Sequence, residues 1–234
     1  MLSERLKQII DMIPDGVGVA DIGTDHAMIP LYLARHTGCQ PIIAGEKNPG
    51  PYKRALTTVR ENGLEERIQV RKGSGFLPLD PGEVDWAIIA GMGPRTIMEI
   101  FKEAEEIVRS LEGIILQPMQ KPATMRRWLL NNGYQIVDEV IVKEEGKLFH
   151  IIQTRSGQPE QVDEIFYEVG PILFTKNESY VKEHLEKLIS SYQLILKKVS
   201  PEEGVRARKR IEEVKKKIEK LEEVYKKWQK KFSE

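Results

Sequence analysis

Residues 16–27 read Gly-Val-Gly-Val-Ala-Asp-Ile-Gly-Thr-Asp-His-Ala. The first seven, Gly16–Ile22, are a mostly apolar run of strand length, which predicts a strand covered on both faces. Gly23 then lets the chain turn sharply. From His26 to His36, the residues Ile29, Leu31, Leu33 and Ala34 predict a helix. A strand, a glycine turn and a helix in this order open an α/β sheet. Ligands of such sheets bind beyond the carboxyl ends of the strands, so the turn Gly23–Ala27 is the first place to look for a site.

The alternation continues to residue 155. Strands are predicted at Pro41–Glu46, Ile68–Arg71, Val84–Ala90 and Gly113–Gln117, and helices at Pro49–Asn62, Thr96–Arg109 and Ala123–Asn132. Tyr134–Val142 and Leu148–Thr154 read as two last strands, joined through Glu145-Gly146 into an antiparallel hairpin. An N-terminal helix, Ser3–Ile13, turns Leu2, Leu6, Ile9 and Ile10 inward. Alternating strands and helices imply a parallel sheet covered on both faces. The prediction is an α/β domain over residues 1–155 with a mostly parallel, seven-stranded sheet.

Residues 156–175 carry Gly157, Pro159, Gly170 and Pro171 and read as a linker that packs back onto the domain through Ile165, Phe166, Tyr167, Ile172 and Phe174. Residues 176–234 carry two heptad seams. Val181, Leu185, Leu188, Tyr192, Ile195 and Val199 make the first; Ile211, Val214, Ile218, Leu221, Tyr225, Trp228 and Phe232 make the second. Ser200-Pro201-Glu202-Glu203 between them offers an N-cap, a proline at the first helical position and a capping-box glutamate. The prediction is an antiparallel helical coiled-coil hairpin, and a monomer; a dimer through the same seams is the alternative.

Charge is divided unevenly. The 234 residues hold 36 Lys/Arg and 36 Asp/Glu, yet the tail from Lys176 holds 17 and 11. A basic tail on an acidic domain suits a nucleic-acid partner, and a solvated coiled coil is the other reading. The single cysteine, Cys39, excludes an internal disulfide framework and a four-cysteine zinc site. It suits a reducing, cytoplasmic setting. Met1–Pro14 shows no signal pattern, and no apolar run is long enough to span a membrane.

The turn after the first strand chooses between ligands. A dinucleotide site wants G-x-G-x-x-G, with its pyrophosphate on the helix N-terminus. Here Gly23 is followed by Asp25 and Met28 at the other two glycine positions. A carboxylate at ~4 Å from a phosphate charge repels it by ~4 kcal/mol at an effective dielectric of 20. S-adenosylmethionine brings a sulfonium and an ammonium instead, and Asp21 and Asp25 suit both. Glu46, ending the second strand, suits the ribose hydroxyls. The cofactor expected is S-adenosylmethionine, held by Asp21, Gly23, Thr24, Asp25, Glu46, Lys47, Asn48, Gly73, Ser74, Gly75, Ala90, Gly91 and Met92. The plain structural roles are an N-cap for Asp25 and a loop acid for Glu46.

Asp21-Ile22-Gly23-Thr24-Asp25-His26-Ala27, Ala44-Gly45-Glu46, Ala90-Gly91-Met92-Gly93, Leu116-Gln117-Pro118 and Asp138-Glu139-Val140-Ile141 together resemble the TrmK family, bacterial tRNA (adenine-22-N1)-methyltransferases. The resemblance covers the catalytic domain and extends to the helical hairpin. It implies a class I, Rossmann-like methyltransferase fold and methyl transfer to N1 of an adenine in the D-arm region of tRNA. The chain departs from the family pattern at Pro94, where a glycine is usual, and at Ser74, where an aspartate is usual.

N1 of neutral adenine already has a lone pair, so positioning outweighs proton removal. Asp25 and His26 are the side-chain candidates at the reaction centre, with Gly91 and Met92 supplying backbone acceptors and room for a flipped base. The D-P-P-Y segment usual for amino-group methylation is absent. Candidate RNA contacts are Arg5, Lys7, Arg95, Gln117, Lys121, Arg126 and Arg127 on the domain, and Arg206, Arg208, Lys209 and Arg210 on the tail. Gln117 offers an amide to an adenine edge; the cations offer phosphate contacts. The rival readings are a small-molecule methyltransferase with a structural coiled coil, and a non-catalytic RNA-binding protein.

Overall fold

The computed structural model describes residues 2–199 and 205–232. Two compact units result, Met1–Glu160 and Gln161–Glu234.

The first unit runs α1 (Glu4–Asp11), β1 (Val19–Ile22), α2 (Met28–His36), β2 (Ile42–Glu46), α3 (Pro49–Glu61), β3 (Ile68–Lys72), β4 (Trp86–Met92), α4 (Pro94–Glu103), α5 (Glu105–Ser110), β5 (Gly113–Pro118), α6 (Pro122–Asn131), β6 (Tyr134–Glu144) and β7 (Lys147–Ser156). The seven strands stand in the order β3-β2-β1-β4-β5-β7-β6. The first five are parallel, and β7 enters antiparallel between β5 and β6. Chain order reverses between β1 and β4, so a crevice opens beyond Ile22 and Met92.

Each strand of the sheet centre divides its side chains between two cores. Along β4, Ala87 and Ile89 join Ile97, Phe101, Val108 and Met125 from the α4–α6 side. Trp86 and Ile88 join Ile9, Leu33, Ala55 and Val59 from α1–α3. That is the two-residue period of a strand covered on both faces. Trp128, partly buried, stacks on Tyr134 and meets Phe101 edge-on, so it belongs to the core.

Several boundaries differ from the sequence reading; β1 starts at Val19 rather than Gly16, and β4 runs Trp86–Met92 rather than Val84–Ala90. The helix expected from His26 begins at Met28. Pro30, which has no N–H to give, thereby falls in the first turn, where no intrahelical bond is lost. The helix expected over Thr96–Arg109 is two helices that meet at Ala104, buried with φ −138° and ψ 45°. Pro94 opens α4 at its first position, which makes the departure from a glycine structurally neutral.

In the second unit, Ile165–Val169 is a short helix, α7, and Leu173–Thr175 a single 3₁₀ turn. Of the stretch 156–175 expected to pack back onto the first domain, residues 161–175 fall in this unit. Glu168 accepts from the Tyr192 hydroxyl at 2.9 Å and from Lys217 at 2.7 Å. The two long helices are α8 (Ser179–Lys198) and α9 (Val205–Phe232). Tyr225 bonds Glu186, and Lys217 lies over Tyr192. Position numbers fall along α9 as they rise along α8, so the pair is antiparallel. Val214, Ile218, Leu221 and Trp228 of the predicted seam are buried, and Ala207 and Val224 join them. The capping box at Ser200–Glu203 lies outside the described residues. Among the described residues, no helix is long and apolar enough to cross a membrane.

Candidate active site

Gly23 closes β1 with φ +81°. Its amide and that of Thr24 both donate to the Gly45 carbonyl, at 2.8 and 3.2 Å, tying the end of β1 to the end of β2. A β-carbon on Gly23 would stand 2.1 Å from Met92 Cε. Two carboxylates are buried beneath this turn, Asp21 and Glu46, each 7% exposed. Burial pushes the Asp21 carboxyl up to about 6; the Thr24 hydroxyl pulls it down and the Glu46 charge adds to the rise. Glu46 Oε1 accepts the Asn48 N–H at 2.6 Å, which orients the acid at the tip of β2.

A cavity of about 270 Å³ opens over the crevice. It brings together Gly23, Glu46, Lys47 and Asn48 from the first two strand ends with Gly73, Ser74 and Gly75 from the third, and Met92 from the fourth. All eight were expected at the cofactor. Four of its walls come from α4 and were missed: Thr96, Glu99, Ile100 and Glu103. Their signal was the i, i+3, i+4 spacing on a helix that starts at the active edge. Three glutamates face a single lysine in this lining, and Gly23 leaves a bare floor. A cationic nucleoside fits that charge; a pyrophosphate does not.

Asp25 and His26 are exposed and outside this lining. Arg54 holds the Asp25 carboxylate, with Nε 2.9 Å from Oδ1, and His26 Nε2 lies 3.3 Å from Oδ2. Asp25 does not cap α2, whose N-cap position is Ala27 in the left-handed region. Pairing with Arg54 also offsets much of the repulsion that Asp25 was expected to exert on a phosphate. The case against a dinucleotide therefore rests on the missing second and third glycines and on the acidic cavity.

The family model for TrmK, tRNA (adenine(22)-N(1))-methyltransferase, matches residues 19–223. The chain belongs to this family. It is 33% identical over 232 residues to the tRNA (adenine(22)-N(1))-methyltransferase of Bacillus subtilis (strain 168), covering 95% of this chain and 96% of that protein. Streptococcus pneumoniae Sp1610 in complex with S-adenosyl-L-methionine superposes with a TM-score of 0.84 at 30% identity, over 96% of this chain and all of that one. M. capricolum TrmK in complex with S-adenosyl-homocysteine superposes with a TM-score of 0.82 at 26% identity, over 97% and 98% of the two chains. The chain is thus an S-adenosylmethionine-dependent methyltransferase with a Rossmann-like catalytic fold.

Several residues expected to meet RNA in this methyltransferase do other work. Arg126 is fully buried. Its Nε donates to Glu139 Oε1 at 2.5 Å and its Nη2 lies 3.0 Å from His150 Nδ1. It joins α6 to β6 and β7 and cannot reach a phosphate. Gln117 is fully buried at the end of β5 and its amide is committed to the protein. Its Oε1 accepts from Gly91 N–H at 3.2 Å and from Arg5 Nη1 at 2.6 Å, and its Nε2 donates to the Pro118 carbonyl at 3.0 Å. It does not read an adenine edge. Arg5 is a clamp, not a free phosphate ligand: Nε donates to Glu144 at 3.0 Å and the guanidinium lies 5.0 Å from the Phe149 ring centre. The Ser3 hydroxyl first, then Arg5, hold the Glu144 carboxyl below its usual range.

Lys7 pairs with Glu4 on the exposed side of α1. Arg95 is exposed in the first turn of α4 and Arg127 in the second turn of α6. Arg206, Arg208, Lys209 and Arg210 are exposed at the start of α9. Ala90 and Gly91 end β4 beside Met92, with Gly91 at φ +74°.

Proposed function

We propose that this chain methylates N1 of adenine 22 in tRNA, acting as a monomer in the cytoplasm. The observation that carries the reading is the acidic cavity over Gly23 at the β1/β4 crevice, in a chain of this family. S-adenosylmethionine supplies an electrophilic methyl group.

The chain's own residues divide the remaining tasks. Glu46 accepts from the ribose hydroxyls, and Asp21 provides the negative charge that a cationic ligand needs. Gly73, Ser74 and Gly75 give backbone contacts to the adenine end of the cofactor; Glu99 and Glu103 add carboxylates where the loop itself has only a serine hydroxyl. Positive charge spreads over the target ring as N1 is methylated. A backbone acceptor at Ala90-Gly91-Met92, facing the ring's amino group, stabilises that charge. The small turn admits the flipped base. Asp25 and His26, outside the cavity, line the way in, with Arg54 as a further cation there. Arg206, Arg208, Lys209 and Arg210, with Arg95, Arg127 and Lys7, contact phosphates and supply affinity without sequence information.

The test is transfer of labelled methyl from S-adenosylmethionine into unmodified tRNA, followed by digestion to nucleosides. The expected product is 1-methyladenosine, absent when adenine 22 is replaced by guanine. Label in another nucleoside contradicts the assigned atom. Label in metabolites but not RNA supports a small-molecule substrate instead.

A further inference from the structure

The amide of Gln117 is surrounded by partners from three directions, and one of them is the turn beside the reacting groups. Its oxygen accepts the Gly91 N–H. A trans peptide sets its N–H and the preceding carbonyl antiparallel. With the Gly91 N–H turned toward β5, the Ala90 carbonyl turns the opposite way, toward β1. β1 ends its register with β4 at the pair Ile22 and Ile89. The Ala90 carbonyl therefore lies one residue past that last pair, at the crevice. Gly23 and Thr24, the next donors of β1, give their N–H groups to Gly45 instead.

The second partner of Gln117 is Arg5, which is itself fixed by Glu144 on β6 and Phe149 on β7. Helix α1 thus reaches the end of β4 through two side chains. Gly91 has φ +74° and the β4–β5 register slips between Ala90 and Met92. A glycine at a slipped register has few constraints of its own. Something must hold its peptide plane in one orientation.

We propose that Gln117 is a positioning residue, locked by Arg5, that holds the Ala90–Gly91 peptide so that the Ala90 carbonyl faces the target adenine. This rests on the reading above that the adenine reacts at the β1/β4 crevice. Neither side chain touches the substrate; both act through the backbone. The charge of Arg5 polarises the Gln117 amide and fixes its rotamer, so that the oxygen rather than the nitrogen meets Gly91.

The test uses the full chain with three substitutions. Gln117→Met keeps the volume and removes both accepted bonds. It should lower kcat by about 10- to 100-fold, the range set by small misplacements of reacting groups. Its calorimetric affinity for S-adenosylmethionine should stay within about threefold, since the substitution weakens the transition state and leaves ground-state binding alone. Hydrogen exchange at the Gly91 amide should accelerate in protein free of cofactor and tRNA. Gln117→Glu keeps an acceptor and should restore slow exchange and most of kcat. Arg5→Met leaves the Gly91 bond in place and should fall between; if Gln117→Met does not fold, lowered kcat at unchanged cofactor affinity in Arg5→Met carries the same support. Wild-type kcat in the folded Gln117→Met protein overturns the proposal, as does a loss of cofactor affinity that accounts for the loss of rate. If the unaltered protein itself fails to methylate tRNA, the reaction assignment fails. An unchanged Gly91 exchange rate in Gln117→Met would separately overturn the positioning role.

Discussion

The thioether methyl of Met92 lies over Gly23, 2.1 Å from where a β-carbon on that glycine would be. The end of β4 and the turn after β1 thus meet with no room for a side chain between them. Two effects oppose Gly23→Ala: this close approach, and a φ of +81° that costs an L-residue about 1–2 kcal/mol. Met92 is flexible enough to give way, but the backbone angle is not relieved by its movement. Gly23→Ala should therefore weaken S-adenosylmethionine by about tenfold or more, taking ~1.4 kcal/mol per factor of ten. Adding Met92→Ala should recover only part of it. Full recovery in the double variant, read by calorimetry, would mean that the clash with Met92 alone matters.

Asp21 makes opposite demands on stability and binding. Its carboxyl titrates near 6 in the folded protein against an ordinary 3.8. The fold favours the protonated form, so the stabilisation it contributes is full below pH 3.8 and is lost as pH rises through 6. At neutral pH the buried anion costs the free protein about 3 kcal/mol. Asp21→Asn should raise the melting temperature at pH 7 and weaken the cationic cofactor. Cofactor affinity of the unaltered protein should fall from pH 7 to pH 5 as Asp21 takes up a proton. That component of the fall should vanish in Asp21→Asn. A variant both less stable and unchanged in affinity would show that Asp21 is a fold residue alone.

Arg126 is paired and fully buried. Arg126→Ala removes one side of this buried ion pair and should cost about 3–5 kcal/mol of stability, seen in thermal denaturation. The folded fraction should bind tRNA normally. Weaker tRNA binding at an unchanged melting temperature would mean that Arg126 meets phosphate after all.

The basic start of α9 should act through phosphate alone. Replacing Arg206, Arg208, Lys209 and Arg210 with glutamine should lower tRNA affinity at low salt. It should also flatten the plot of log affinity against log salt by about 0.7–0.9 for each phosphate no longer neutralised. Cofactor affinity should not move. An unchanged salt slope would assign this segment to the coiled coil and not to RNA.

The sheet and its cofactor edge were legible because they rest on local rules. Within the run from Gly16 to Ile22 the residues Val19–Ile22 form the strand, and with the glycine at 23 and the acid at 46 they mark a strand, a turn and a strand end with no help from the rest of the chain. Arg126 and Arg127 look alike in sequence but part company in the fold. Arg126 lies four residues after Pro122 and three before Leu129, on the buried face of α6, and helical spacing alone marks it as inward. Its partner was hidden: the β6–β7 register shifts between Ile136 and Asp138, which resets the strand's alternation before Glu139. No local signal announces such a bulge. The break at Ala104 has neither proline nor glycine and follows from packing of that alanine in the core. Gln117 and Arg5, 112 residues apart, could be joined only by the fold.

The most direct measurement is a reverse-transcription stop on unmodified tRNA incubated with the protein and S-adenosylmethionine. A methyl on N1 blocks the pairing edge of adenine, so extension should halt at the nucleotide 3′ to position 22. The stop should appear only with cofactor present. Full-length extension past position 22, with methyl found elsewhere in the tRNA or not at all, would contradict the account.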